Sequence, residues 1–143
     1  MENIREKDEQ ELKEKLVTIY FDGNPYEVPM GMSVLEAARL VNIEIPSLCY
    51  LKDINEIGAC RVCVVEIEGI RALQPSCVYP VRDGLKVKTN TKKVRDARRT
   101  AVTLLLSNHH RECLTCIRNL NCELQNVADS LGIRNIPYTG EMP

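Results

Sequence analysis

The sequence predicts an α+β fold in which a β-grasp domain precedes a small helical domain. β-Prone runs flank a short amphipathic helix in the first 90 residues, a longer helix follows, and two groups of metal-binding side chains lie along the chain. We expect a charged extension at residues 1–15, the β-grasp domain at 16–90 and the helical domain at 91–143. A chain of 143 residues has room for two very small domains, and metal centres would stabilise their limited cores.

The first predicted element is a β-hairpin. Residues 16–21 (LVTIYF) form a β-prone run, and residues 22–25 (DGNP) are a strong turn signal. Residues 26–28 alternate in polarity and are predicted to be the returning strand.

A short helix is predicted over residues 33–42. Ser33 stands three residues before Glu36, which is the spacing of a capping box, and apolar residues follow at helical intervals. Beyond it, residues 49–60 are expected to form a long irregular loop.

Further strands are predicted at residues 61–68 (RVCVVEIE), 71–73 and 85–88 (LKVK), with turns at Gly69 and Gly84. Two strands, a helix and then more strands in so short a segment favour a mixed sheet with one helix packed across it. This arrangement is the β-grasp fold.

The second helix is predicted over residues 91–107, with Thr91 as its N-cap. Its expected apolar face consists of Val94, Ala97, Ala101, Leu104 and Leu105. Its first half is basic, and we interpret these side chains as a solvated face or, alternatively, as a docking face for an acidic partner: Lys92, Lys93, Arg95, Arg98 and Arg99. A short amphipathic helix over residues 122–131 follows, and Gly132 ends it.

Four cysteines form the first ligand set, spaced C-x10-C-x2-C-x13-C: Cys49, Cys60, Cys63 and Cys77. Four thiolates suit a [2Fe–2S] cluster, a [4Fe–4S] cluster or structural zinc. Structural zinc usually takes two tight C-x2-C pairs, whereas here one tight pair is joined by two isolated cysteines, which favours iron–sulfur over zinc or a disulfide. Small residues at positions 58 and 59 would let backbone N–H groups approach the cluster sulfurs and tune the reduction potential, and a loop wrapped around an inorganic core fits a [2Fe–2S] site.

The second ligand set combines one histidine with Cys113, Cys116 and Cys122. Three thiolates and an imidazole suit structural zinc as well as an iron–sulfur cluster, and the neutral imidazole would raise the potential of such a cluster. His109 and His110 are both candidates from the residues alone. With all these ligands assigned to metal centres, no catalytic residues are predicted.

Composition excludes several classes of protein. A formal net charge of −1 gives no global attraction to nucleic acid or to anionic membranes. The charged N-terminal extension has no apolar core of a secretory signal, and no run of about 18 apolar residues could span a bilayer. We therefore expect a cytoplasmic protein, in which clustered cysteines bind metals more often than they form disulfides.

Six short motifs carry a resemblance to a known family. They lie at residues 47–50 (SLCY), 58–63 (GACRVC), 75–77 (PSC), 104–109 (LLLSNH), 113–116 (CLTC) and 121–125 (NCELQ). These motifs are very similar to the N-terminal region of [FeFe]-hydrogenase catalytic subunits. The same module opens the large peripheral-arm subunit of respiratory complex I and some NAD-linked formate dehydrogenases, and the resemblance covers residues 17–140.

The resemblance implies two cofactors. Cys49, Cys60, Cys63 and Cys77 would bind a [2Fe–2S] cluster in a ferredoxin-like β-grasp domain. His109, Cys113, Cys116 and Cys122 would bind a [4Fe–4S] cluster in a small helical domain. The Ser-Asn-His motif of the family matches residues 107–109, which selects His109 over His110.

The resemblance also implies a function. In those relatives a two-cluster domain and a catalytic domain follow, whereas this chain stops at Pro143. It is therefore expected to resemble the small subunits of NAD(P)-linked hydrogenases, formate dehydrogenases and flavin-based bifurcating transhydrogenases. Such a non-catalytic subunit would relay electrons, within a hetero-oligomer, between a flavin-containing NAD(P)H-oxidising subunit and a further redox or catalytic subunit.

Two alternatives belong to other classes of protein. A free ferredoxin-like carrier would hold the same two clusters, although strongly acidic surfaces are typical of such carriers and the net charge here is −1. A zinc-stapled interaction module would have no redox role, and it is compatible with the second ligand set but not favoured by the spacing of the first.

Overall fold

A computed structural model describes residues 15–141 of the chain. The predicted charged extension, residues 1–15, lies outside the described residues except for Lys15. No helix within residues 15–141 has the length and apolar character needed to cross a membrane.

Five strands in the described part of the chain form one mixed sheet: β1 (Leu16–Phe21), β2 (Asn24–Pro29), β3 (Val64–Ile67), β4 (Gln74–Pro75) and β5 (Leu85–Lys88). Their order is β2-β1-β5-β3-β4. The pair of β1 and β5 is parallel, and the other neighbouring pairs are antiparallel. The last strand thus lies in the middle of the sheet beside the first, as in the predicted β-grasp fold, which is confirmed.

The hairpin of β1 and β2 turns on two residues, Asp22 and Gly23, both with positive φ (51° and 90°). This conformation matches the right-handed twist of the strands, and Asp and Gly adopt it at low cost. The returning strand pairs from Asn24 onward, two residues earlier than predicted. The Asp22 carboxylate accepts hydrogen bonds from the backbone N–H and the hydroxyl of Thr89 (2.8 and 2.6 Å), which joins the hairpin to the residue after β5.

Helix α1 (Val34–Leu40) begins with the predicted capping box. The Glu36 backbone N–H donates to the Ser33 hydroxyl oxygen at 3.3 Å, and the Ser33 N–H donates to the Glu36 carboxylate at 3.0 Å. Residues Val34, Leu35, Ala37 and Ala38 face the core. The helix ends at Leu40 rather than at the predicted position 42, because Asn42 adopts a left-handed conformation with φ of 59°.

Two strand predictions need correction. The strand predicted over residues 61–68 occupies only Val64–Ile67, because Arg61 has a φ of 58° and the chain turns there instead of extending. Its partner is β4 (Gln74–Pro75) and not residues 71–73. The register pairs Val64 with Pro75, the last residue of β4, so the chain leaves the sheet two residues before Cys77.

The core lies between the sheet and α1. Its largest fully buried side chains include Phe21, Ile19, Leu35, Val28 and Val65. Two of the cysteines of the first ligand set, Cys63 and Cys77, belong to the same buried cluster. The first ligand set is therefore built into the edge of the core.

Three further helical segments follow: α2 (Lys92–Ser107), a 3-10 turn (Cys113–Thr115) and α3 (Glu123–Ser130). Both α-helices were predicted, and Thr91 caps α2 as expected, with its hydroxyl oxygen accepting from the Val94 N–H at 3.2 Å. The buried face of α2 differs from the predicted one: it consists of Val94, Arg98, Val102, Thr103 and Ser107. Leu104 and Leu105 are exposed instead.

Arg98 is the main correction in α2. It was assigned to the solvated or docking basic face, yet it is buried between Val94 and Val102, one turn away on each side. These three residues are spaced four apart, so they share one face of the helix, and this face packs against β3. The other four basic residues of the helix are exposed, as predicted for a solvated or docking face.

Candidate metal centres

The four cysteines of the first ligand set come from three parts of the β-grasp domain. Cys49 begins the irregular loop that precedes Cys60, Cys63 directly precedes β3, and Cys77 follows β4. Cys63 and Cys77 are buried, and Cys49 and Cys60 are half-buried. All seven cysteines, each of which lies in the described part of the chain, are free thiols.

These four thiols interact with one another. Burial, a hydrogen bond with Cys63 and the proximity of the Cys63, Cys49 and Cys60 thiols raise the pKa of Cys77 to about 12. The neighbouring thiols thus oppose ionisation of Cys77, and a cation among them would be needed before this thiol could act as a thiolate ligand. The donor chemistry of the site therefore fits an iron–sulfur cluster.

Backbone N–H groups surround the Cys60 sulfur. Burial alone would raise the pKa of Cys60, but hydrogen bonds from the backbone N–H groups of Val62, Leu48 and Cys49 lower it below its ordinary value. The left-handed conformation of Arg61 turns the chain toward the sulfur, so that the Val62 N–H reaches it. Donors of this kind stabilise thiolate ligands and tune the potential of a cluster.

Gly58 allows the loop to lie close to the residues after β4. Its φ is 61°, and a Cβ at this position would lie 3.3 Å from Val78 Cγ2 and 3.5 Å from Pro75. The close approach that Gly58 permits brings the loop against the segment that carries Cys77, whereas the predicted approach of its backbone N–H to cluster sulfurs stays a prediction. Gly58 holds two parts of the ligand set together.

Two side-chain hydrogen bonds help to hold the backbone of the ligands. The Ser76 hydroxyl donates to the Cys63 carbonyl oxygen at 2.7 Å, and the Asn55 side-chain amide donates to the Cys49 carbonyl oxygen at 2.7 Å. Both accepting residues are members of the first ligand set. The Asn55 bond therefore fixes the loop that begins at Cys49 from within, and the bond from buried Ser76 fixes Cys63 from the core.

Within residues 15–141, no group of three or more His, Cys, Asp or Glu side chains is arranged to hold a single metal ion. A two-iron cluster places different requirements on the protein, since its four thiolates surround a larger inorganic core.

The second ligand set lies on the surface. His109 follows the end of α2, Cys113 begins the 3-10 turn, Cys116 ends it, and Cys122 is the N-cap residue of α3. Cys113 and Cys116 are exposed and Cys122 is half-buried. The Cys122 side chain makes no capping hydrogen bond, which leaves its sulfur free to bind a metal.

An open cleft of about 510 Å³ joins part of this set to the first domain. His109 and Cys122 line it together with Leu48, the neighbour of Cys49. Cys113 and Cys116 do not line it. Leu105, which is exposed at the end of α2, also lines this cleft.

Gln125 stabilises the loop between Cys116 and Cys122. Its side-chain oxygen accepts from the Leu120 N–H at 3.0 Å, and its amide donates to the Asn119 side chain at 3.1 Å. The Arg118 N–H is 3.4 Å from the Cys116 sulfur and donates to it. The loop thus offers a backbone donor to a ligand of the second set, as the Cys60 loop does in the first.

Sequence reasoning missed Arg98 as a residue of the first site. Its guanidinium Nη2 donates to the Val64 carbonyl oxygen at 2.8 Å, directly after Cys63. The signal that could have revealed it is the spacing of Val94, Arg98 and Val102, because a residue flanked at four-residue intervals by two valines lies on the packed face.

Two family comparisons match the two halves of the chain. Residues 14–92 match the 2Fe-2S iron–sulfur cluster binding domain. Residues 98–137 match the iron–sulfur binding region of NADH-ubiquinone oxidoreductase-G. The expectation of one [2Fe–2S] and one [4Fe–4S] cluster is confirmed by these matches.

Similar curated proteins are subunits of larger oxidoreductases. A subunit of the NADP-reducing hydrogenase of Solidesulfovibrio fructosivorans is 48% identical over 130 residues, covering 87% of this chain and 22% of that protein. The 75 kDa subunit of the NADH-ubiquinone oxidoreductase of Reclinomonas americana is 38% identical over 112 residues, covering 78% of this chain and 16% of that protein. The alpha subunit of the NADPH-Fe(3+) oxidoreductase of Geobacter sulfurreducens is 40% identical over 123 residues, covering 86% of this chain and 15% of that protein.

The fold is similar to that of a solved hydrogenase chain. The crystal structure of an NAD+-reducing [NiFe]-hydrogenase in the H2-reduced state superimposes with a TM-score of 0.82 at 31% identity. The match covers 89% of this chain and 53% of that chain. The chain therefore spans about half of the solved chain and less than a quarter of each of these three curated relatives.

Proposed function

Because the chain belongs to the family of 2Fe-2S iron–sulfur cluster binding domains and its second half matches the iron–sulfur binding region of NADH-ubiquinone oxidoreductase-G, we propose that it relays electrons through two clusters within a larger nicotinamide-linked oxidoreductase. The clusters supply the redox chemistry by taking up and releasing single electrons. The residues of the chain bind them and set their potentials.

Eight side chains are proposed as ligands. Cys49, Cys60, Cys63 and Cys77 would bind the [2Fe–2S] cluster, and His109, Cys113, Cys116 and Cys122 the [4Fe–4S] cluster. The mutual interaction of the first four thiols supports the first assignment. The free Cys122 sulfur and the cleft that it shares with His109 support the second.

The shared cleft is the main observation that supports electron transfer between the two cluster sites. Leu48 of the first cysteine loop lines the same cleft as His109 and Cys122. Electrons would thus pass between neighbouring cluster sites without crossing the β-sheet. We propose domain limits at residues 16–90 and 91–143, with the cleft at their junction.

A hetero-oligomeric state is supported by the relatives, which are subunits of larger complexes. We propose a flavin-containing NAD(P)H-oxidising subunit and a further redox subunit as partners. Three apolar side chains beside the second ligand set are almost fully exposed and suit a contact with such a subunit: Leu114 (93%), Ile117 (99%) and Leu120 (87%). Free thiolate ligands suit the reducing cytoplasm, which is the proposed location.

The test is an anaerobic native pull-down of the chain, with iron, zinc and flavin measured and co-purifying proteins identified by mass spectrometry. We expect about six iron atoms per chain, two and four in the respective clusters, and a flavin-bearing partner. The same preparation should show two EPR signals that develop on reduction.

Each other outcome has a defined meaning. Iron at the expected level without a partner would indicate a free two-cluster carrier. Zinc without iron in anaerobically purified protein would overturn the redox function and favour a zinc-stapled module.

A further inference from the structure

Arg98 is a charged side chain buried in the wall of the first site. It is 5% exposed and lies in the middle of the α2 face that packs against β3. Its Nη2 donates to the Val64 carbonyl oxygen at 2.8 Å. Its Nε is buried and makes no hydrogen bond within the described part of the chain.

Such a position is costly for a guanidinium. A buried cation destabilises a fold unless negative charge compensates it. Burial lowers the pKa of Arg98 to about 10, while the Cys63 thiol and the Asp22 carboxyl oppose this shift. Arg98 therefore remains protonated at neutral pH. Cys63 and Asp22 are the acidic groups that interact electrostatically with it.

Asp22 compensates this charge only in part. Its two carboxylate oxygens already accept from the Thr89 N–H and hydroxyl. Within residues 15–141, no ion pair joins Arg98 to a carboxylate. The remaining negative charge must therefore come from the side of Cys63.

A [2Fe–2S] cluster bound by four thiolates is an anion, and its reduction adds one further negative charge. We propose that Arg98 is a fixed positive charge which α2 inserts beside Cys63, and that it raises the reduction potential of the first cluster. The proposal rests on the proposed function, since it assumes that Cys63 is a cluster ligand. Arg98 is a positioning and tuning residue rather than a catalytic one.

The low exposure of Arg98 should strengthen its effect on the reduction potential of the first cluster. Solvent and salt screen exposed charges, but they screen a buried guanidinium much less. A helix of the second domain would thereby control the potential of the cluster in the first. Removal of the charge should favour the oxidised state of the first cluster and leave the second unchanged.

The test measures the midpoint potential of the [2Fe–2S] cluster in the full chain by EPR-monitored redox titration. The variants are Arg98→Gln, which removes the charge, and Arg98→Lys, which keeps it. Arg95→Gln is the matched control, because Arg95 is an exposed arginine of the same helix. The [4Fe–4S] signal of each preparation is the internal reference.

We expect Arg98→Gln to lower the ratio of reduced to oxidised first cluster about tenfold at a fixed potential, which corresponds to about 59 mV for one electron. Arg98→Lys should restore most of this loss, and Arg95→Gln should have little effect. If Arg98→Gln fails to hold the first cluster while Arg98→Lys holds it, the requirement for positive charge is supported.

Two results would overturn the proposal. One is an equal potential of the first cluster in the Gln and Lys variants. The other is loss of this cluster from both, because it would show that the shape and hydrogen bond of arginine matter and its charge does not. Failure of the proposed function itself looks different, since the wild-type chain would then hold no reducible cluster.

Discussion

The Ser76 hydroxyl donates a 2.7 Å hydrogen bond to the carbonyl oxygen of Cys63. The Ser76 backbone N–H donates to the same oxygen at 3.1 Å. Ser76 is the neighbour of Cys77, and its side chain is fully buried. The two cysteines of the core are thus joined through their backbones as well as through their thiols.

Replacement of Ser76 by Ala should destabilise the first site. The substitution leaves the Cys63 carbonyl with one donor instead of two, and the net contribution of one such hydrogen bond to stability is about 0.5–1.5 kcal/mol. We expect a lower free energy of unfolding in urea and faster release of the first cluster to a chelator. Ser130→Ala is the control, because the Ser130 hydroxyl makes a similar bond to Val127 on the exposed surface; equal effects of the two substitutions would contradict the prediction.

Gly58→Ala should impair the same site by a different route. The new alanine would have to adopt a positive φ, which costs about 1–2 kcal/mol, and its Cβ would also press against Val78 and Pro75. Gly69→Ala is a matched control, since Gly69 also has a positive φ (83°) but nothing lies within 4 Å of a Cβ there. The iron content and the midpoint temperature of thermal unfolding should fall further in Gly58→Ala than in Gly69→Ala. A similar fall in both variants would show that the close contact has no effect.

Much of this fold could be predicted, because local rules and tertiary contacts agree in most elements. The capping box at Ser33, the Asp22-Gly23 turn and the Thr91 cap each have a local signature in sequence. The metal-binding character of the cysteines followed from their spacing. Confirmation of the two cofactors came from the family matches, while the eight individual ligands remain a prediction.

The predictions for β4 and Arg98 were wrong because contacts between residues distant in sequence determine the structure there. Partner strand β4 lies at Gln74–Pro75 because it pairs with Val64 and Val65, a register that residues 71–73 cannot reveal on their own. Arg98 was placed on the solvated face because charge usually indicates exposure. Its burial depends on the packing of α2 against β3, and that contact has no local signal beyond the spacing of the two valines.

Gln125→Ala should weaken the second site selectively. The substitution removes the two side-chain hydrogen bonds from Gln125 to residues 119 and 120, so the loop between Cys116 and Cys122 loses its contacts with α3 there. We expect the [4Fe–4S] signal to decay faster in the presence of a chelator, with the [2Fe–2S] signal unchanged. Asn126→Ala, at the exposed neighbouring position, serves as the control, and equal decay in the two variants would argue against a role of Gln125.

His109→Cys should lower the potential of the second cluster and spare the first. A thiolate adds negative charge where the imidazole is neutral, and this charge disfavours reduction. The two sites share no proposed ligand, so the [2Fe–2S] midpoint should stay constant. EPR-monitored titration of both clusters in one sample provides the measurement. His110→Cys is the matched control because it offers the same thiol one residue later. A lowered potential in His110→Cys with none in His109→Cys would assign the ligand to His110 and overturn the choice that the Ser-Asn-His motif implies.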